Sequence, residues 1–252
     1  MSKAKKSAPS SSGSRARSDS TLAVVGFDTA TPDTAAGAWR DGEVLHESLL
    51  GPADGGPRHT TALLAEVERA AAAAGGWERV ELLAVGLGPG SFTGLRIGIA
   101  TGRGLAASLG LPLTGVCTLD ALGRGMEEAG LPGAHLAVFD ARRGEVFAAL
   151  YAESGERRWE PFVCPPEQLL ERVAALPAPP SAAGSGAVRF RHDLSQYGVR
   201  IEGDDNPVHR VAARHICALA ATAGEGVQVA PIYLRPPDAE RWRERDSFQR
   251  DQ

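Results

Sequence analysis

Two stretches of this chain have the residue types to meet an anion. The first is Asp28-Thr29-Ala30-Thr31-Pro32-Asp33-Thr34, a turn dense in hydroxyls and carboxylates that follows the apolar run at 21–27. The second is Gly88-Pro89-Gly90-Ser91-Phe92-Thr93-Gly94, where two glycines and the fixed φ of Pro89 stop an apolar run and open a helix. Backbone N–H groups at such a helix start point outward with partial positive charge. Arg96, in the first turn, could neutralise a phosphate or a partner's carboxylate. The set is not a P-loop, because Leu95-Arg96 follows Gly94 where Lys and then Ser or Thr would be needed. Other chemistries lack their parts. The six histidines are scattered with no H-E-x-x-H pair, Cys117, Cys164 and Cys217 form no C-x-x-C pair, and Gly90-Ser91-Phe92 lacks the framing of a G-x-S-x-G elbow. Asp140, Arg142, Arg143 and Glu145 have the look of an acid–base cluster but sit at a glycine turn, where charges solvate a hairpin tip.

The elements that must position these residues follow from periodicity. The run at 21–27 and the segments at 35–40 and 43–49 read as strands, the last two joined by Asp41-Gly42, a two-residue hairpin signal. A helix over 60–74 has Leu63, Leu64, Val67 and Ala70 inward and Glu66, Glu68 and Arg69 outward, and Gly75-Gly76 ends it. The strand at 82–87 leads to a helix capped by Ser91 or Thr93 and closed by Gly110. Within that helix Gly94, Gly98 and Gly102 recur every four residues and leave one face nearly bare. Each interior glycine costs roughly 1 kcal/mol against alanine, so close packing must offset the loss, against a neighbouring helix or a second subunit. A strand at 112–117 opens the second half, Thr118 is an N-cap candidate for a helix to 126, strands at 135–140 and 145–151 form a hairpin, and helices follow at 165–176 and 211–223 with a proline linker at 177–180. The order of strands, helix, strand, helix appears twice. It is the pattern of a duplicated ribonuclease-H-like α/β unit, with lobes at 21–112 and 113–234.

Composition bounds the rest. Residues 1–20 hold five Lys or Arg, eight Ser and one Asp, the make-up of a disordered basic tail, and residues 235–252 form a charged tail. The chain as a whole is at −4, so its body carries more negative charge still and is poorly suited to grip a nucleic-acid backbone alone. Apolar runs are too short to span a membrane, and the unpaired cysteines fit a reducing compartment, so the sequence reads as cytoplasmic.

The segment GLGPGSFTGLRIGIATGRGLA resembles the signature of the bacterial TsaB (YeaZ) family. The segments at 26–31, at 140–147 (DARRGEVF) and at 231–235 (PIYLR) are similar to three further family motifs in the same order. The resemblance implies an actin-like (ASKHA) ATPase fold of two ribonuclease-H-like lobes. It implies a non-catalytic scaffold in threonylcarbamoyladenosine (t6A) modification of tRNA. Such a chain dimerises through the helices at 60–74 and 93–109, exchanges its twin for the catalytic paralogue TsaD, works with the ATPase TsaE, and meets tRNA through the complex. On that expectation His59, Leu63, Thr93, Gly94, Arg96, Gly98 and Gly102 form the interface, and Gly98→Leu breaks association while the monomer stays mostly folded. Asp28, Thr29, Thr31, Gly88 and Gly90 would be a vestigial phosphate site, and ADP or ATP at the contact with TsaD stays open. The paralogue's H-x-x-x-H metal pair is replaced by Thr118 and Leu122, neither of which can serve as imidazole. No resident metal or catalytic residue is expected. A small-molecule kinase of the same fold and the M22-type peptidase label of the superfamily are the alternatives.

Overall fold

A computed structural model describes residues 22–224 and 228–235. The basic tail and the charged tail beyond Arg235 lie outside the described residues. The first half runs β1 (Ala23–Asp28), β2 (Thr34–Arg40), β3 (Glu43–Leu50), α1 (His59–Ala73), β4 (Leu82–Gly86), α2 (Phe92–Leu109), β5 (Leu113–Val116) and α3 (Thr118–Glu128). The second runs β6 (His135–Arg142), β7 (Glu145–Tyr151), β8 (Arg157–Cys164), α4 (Pro166–Ala174), β9 (Ser181–Ala183), α5 (Ser185–Arg189), α6 (Arg191–Gln196), β10 (Arg200–Ile201) and α7 (Ala213–Ala223).

Local chemistry explains several of these elements. Asp41 and Gly42 both take positive φ, as the tight β2–β3 turn requires. Ser91 rather than Thr93 caps α2, its hydroxyl accepting from the Gly94 N–H at 3.3 Å, and Gly110 closes the helix at φ 68°.

The two halves repeat one topology. The first sheet has the order β3-β2-β1-β4-β5 and the second β10-β9-β6-β7-β8. In each, three antiparallel strands are followed by two parallel ones, so β6 corresponds to β1 and β9 to β4. The expected duplicated α/β unit is therefore present, with one shift of boundary. β5 pairs in parallel with β4 and belongs to the first lobe instead of opening the second.

The covering helices are exchanged. α7, from the second half, lies on β1 and β2, while α3, from the first half, lies on β6 and β7. Gly26 and Gly37 let α7 approach: a Cβ at Gly26 would stand 2.6 Å from Cys217 Sγ, and one at Gly37 3.1 Å from the Ala213 Cβ. A single core between the sheets joins Val24, Ala84, Leu122, Met126, Phe139, Ile216 and Ala220. α1 and α2 cover the outer face of the first sheet, and α4 to α6 flank the second.

The glycine row of α2 faces inward, which corrects the interface expected there. A Cβ at Gly94 would lie 2.0 Å from the Thr29 carbonyl oxygen, one at Gly98 2.4 Å from Thr29 Oγ1, and one at Gly102 3.3 Å from Phe27 and Leu113. His59 and Leu63 are buried at 5% and 2% exposure and are likewise core positions. Glu66, expected outward, is buried at 4% and paired with Arg69 at 2.6 Å. The row exists so that a helix can lie against the end of β1. Gly98→Ala should lower stability by about 1–3 kcal/mol despite alanine's better helix propensity, and Gly98→Leu should fail to fold. Denaturant unfolding and circular dichroism check both; a well-folded Gly98→Leu monomer would contradict the inward packing.

Candidate functional site

Asp28 ends β1 with its side chain under the loop that follows β4. The carboxylate is 1% exposed; Oδ1 accepts from the Ala30 N–H at 2.7 Å and Oδ2 from the Thr118 hydroxyl at 2.7 Å. Thr118 Oγ1 in turn accepts from the Gly88 N–H at 3.0 Å, and the Thr118 N–H donates to the Gly88 carbonyl at 2.8 Å. Gly86 has no side chain because a Cβ there would sit 1.7 Å from Asp28 Oδ2. Burial pushes the Asp28 pKa up, and its hydrogen bonds to Thr118 and the following turn only partly offset this. Thr29 is also buried, donating to the Gly94 carbonyl at 2.7 Å, and the Ser91 N–H donates to the Ala30 carbonyl at 2.7 Å.

The two stretches that could cradle an anion are thus latched to each other. Of the five residues expected at a vestigial phosphate site, Asp28, Thr29 and Gly88 are inside the latch and Thr31 and Gly90 line a cavity. His59 sits behind it, with Nδ1 2.9 Å from Thr34 Oγ1 and its pKa lowered by burial.

The cavity lies between the lobes and measures about 930 Å³. One wall comes from the β1–β2 turn and the start of α2 and the other from the β6–β7 hairpin, with the segment 232–235 between them. That segment is tied to both lobes: the Ile232 N–H donates to the Leu87 carbonyl at 2.8 Å, and Arg235 pairs with Glu145 at 2.6 Å and donates to the Ala141 carbonyl at 2.9 Å. Four arginines line the cavity, Arg96, Arg142, Arg143 and Arg235, against the single carboxylate of Asp140, which pairs with Arg189 at 2.7 Å. Arg142 and Arg143 hold positive φ of 63° and 55°, uncommon for non-glycine residues. Arg96 lies 3.7 Å above the Phe92 ring, and Phe92 meets Tyr233 at 5.4 Å between centroids. The cavity therefore offers cations and aromatic faces. The three cysteines are all buried, and burial drives the Cys117 thiol to about 12, away from nucleophilic form.

The sequence matches the family described as TsaD, tRNA N6-adenosine threonylcarbamoyltransferase, over residues 50–241. The tRNA threonylcarbamoyladenosine biosynthesis protein TsaB of Escherichia coli is 32% identical over 225 residues, which span 85% of this chain and 95% of that protein. The chain belongs to the TsaB (YeaZ) family. Two solved structures agree. One, described as an uncharacterized protein with similarity to peptidase YEAZ from Pseudomonas aeruginosa, superposes with a TM-score of 0.69 at 31% identity and covers 85% of this chain and 100% of its own. The other, YeaZ from Pseudomonas aeruginosa, gives a TM-score of 0.66 at 29% identity over 84% of this chain and 100% of its own. The two-lobed architecture is accordingly the actin-like fold that the TsaB resemblance implied.

Within this TsaB-family chain the residues expected at the interface divide into two groups. Gly94, Gly98, Gly102, His59 and Leu63 are buried, and Thr93 and Arg96 are exposed, Arg96 facing the cleft. Thr118 is the hydroxyl of the latch, not the helix cap, a place that falls to Cys117. Leu122 is in the shared core. Among the described residues no group of three or more His, Cys, Asp or Glu is placed to hold a metal ion. Sequence reasoning missed Phe139, Phe147 and Tyr233 as cleft residues, because the cavity gathers segments that are far apart in the chain.

Thr118→Val leaves Asp28 Oδ2 and the Gly88 N–H without partners and should destabilise the protein by about 2–4 kcal/mol, read from denaturant unfolding. Because the folded pKa of Asp28 is raised, its favourable linkage is fully present below the unfolded value of 3.8 and is lost as pH rises through the higher folded value. Asp28→Asn should remove that component. The stability difference between wild type and this variant should therefore change with pH in that window, and a difference flat across it would contradict the buried carboxylate.

Proposed function

We propose that this chain is the scaffold subunit of a t6A-forming assembly, holding a TsaD-type catalytic partner in its working conformation without carrying the chemistry itself. The observation that carries the reading is the E. coli relative named as a tRNA threonylcarbamoyladenosine biosynthesis protein, matched at 32% identity over 95% of its length. The site is consistent with it. The turn that would bind phosphates in a kinase of this fold is closed over Asp28 and has no open path to that carboxylate.

The docking face belongs on the outer side of α1 and α2, not on the glycine row. There Thr93, Ala100, Gly104 and Ala107 are exposed on α2, Ala65 and Ala72 on α1, and Leu64 stands 56% exposed at the edge. These small side chains would let a partner's helices approach closely. A second copy occupies the face in a homodimer and TsaD replaces it, with TsaE joining the heteromer.

The test is co-expression with TsaD of the same organism and size exclusion with light scattering, comparing wild type with Gly104→Leu. A Cβ at Gly104 meets open space, so the variant keeps its fold and gains roughly 0.5–1 kcal/mol of helix propensity. Wild type should elute with TsaD as a defined heteromer and Gly104→Leu should elute apart from it. Wild type that ignores TsaD and binds ATP tightly alone would return the small-molecule kinase to the front.

A further inference from the structure

We infer that the cleft between the lobes binds single-stranded RNA, a strand of the substrate that such an assembly would modify. This rests on the reading of the chain as part of a tRNA-modifying assembly, and it adds a direct contact where that reading supplies only an indirect one.

Three features of the cleft point to a ligand with both π-faces and repeated negative charge. The first is aromatic. Phe92 and Tyr233 stay 38% and 43% exposed at the cavity wall, their rings tilted by 36°, so both offer surface that the fold has not used. Nucleobases stack on such platforms whatever their identity.

The second feature is charge. Arg96 has no ion-pair partner among the described residues; its guanidinium rests on the Phe92 face, where it extends the stacking surface and keeps its N–H groups available. Across the cleft, Arg142 is 74% exposed and only loosely paired with Asp140 at 3.7 Å, a carboxylate already engaged by Arg189 at 2.7 Å. In a chain whose net charge is −4, Arg96 and the largely exposed Arg142 put positive charge on the cavity wall. That charge draws a phosphate backbone to the cleft. The third feature is the hairpin backbone. Arg142 and Arg143 are held at positive φ in the turn, and both residues line the cavity.

Free mononucleotides share the base and the phosphate but not the repeat. The experiment therefore compares the two. Fluorescence anisotropy would follow a 5′-labelled oligouridylate of about ten nucleotides, within the span one such groove can track, titrated with the full chain at several salt concentrations, with ATP as competitor. Wild type should bind with an affinity that falls as salt rises. Phe92→Ala should weaken binding at least tenfold, and Arg96→Ala should weaken it and flatten the salt dependence. Arg124→Ala, which removes an arginine on α3 away from the cleft, should leave it unchanged. Circular dichroism confirms that each variant folds, and co-elution with TsaD is measured on the same proteins. Retained co-elution with lost RNA binding supports the cleft as a strand site separate from the docking face. No binding by wild type, binding indifferent to Phe92 and Arg96, or displacement of the RNA by ATP at equal nucleotide concentration would each overturn it, whether or not TsaD co-elutes.

Discussion

A carboxyl group in a buried interior is costly unless it is hydrogen-bonded, and here the junction of the lobes is built around one. Asp28 reaches from the end of β1 into a space roofed by Gly86 and Gly88 and closed by Thr118, so three segments distant in sequence meet at two oxygens. The arrangement fixes the last residue of β1, the loop after β4 and the first turn of α3 relative to each other. The start of α2 then has no freedom: Gly90 packs on the Ala30 carbonyl and Gly94 on that of Thr29. A loop able to open and wrap a triphosphate would need this contact to separate.

The same closure defines the cleft. Because the β1–β2 turn and the start of α2 are locked as one wall, Ser91, Phe92 and Arg96 are presented to the second lobe at a fixed position, and the 232–235 segment spans the gap by bonding to Leu87 on one side and Ala141 on the other. Aromatic side chains lose little entropy on meeting a ligand, so a preset wall carrying Phe92 favours recognition. Family membership places the chain in tRNA threonylcarbamoyladenosine biosynthesis.

Much of the fold was legible in the sequence and the reason is local. The β2–β3 hairpin was marked by Asp41-Gly42, α1 by its apolar stripe and terminal glycines, and β4 and α2 by an apolar run broken at Gly88. Beyond Glu153 the signals fade. β9 is only Ser181-Ala182-Ala183 and β10 only two residues, too short for any period to show, and both take their strand form from pairing with β6 and each other. The glycine row was readable as a bare face, but a bare face does not say what covers it. Its partner is the Thr29 backbone some 65 residues earlier in the chain. Asp28 was legible as a special residue for the wrong reason: its type and place matched a phosphate turn, while the Thr118 hydroxyl that engages it comes from the end of the first lobe.

The exchange of α3 and α7 carries a consequence for how the protein is made. The inner face of β1 and β2 is covered by α7, a helix from the far end of the described fold that ends at Ala223. Until α7 has been synthesised, Val24, Ala84 and their neighbours on that face lack the helix that covers them. The first lobe is therefore not a unit that can be finished early and set aside. Its completion waits for α7, and a chain cut short anywhere before that helix would leave an apolar sheet exposed, open to chaperones and proteases rather than to a partner subunit.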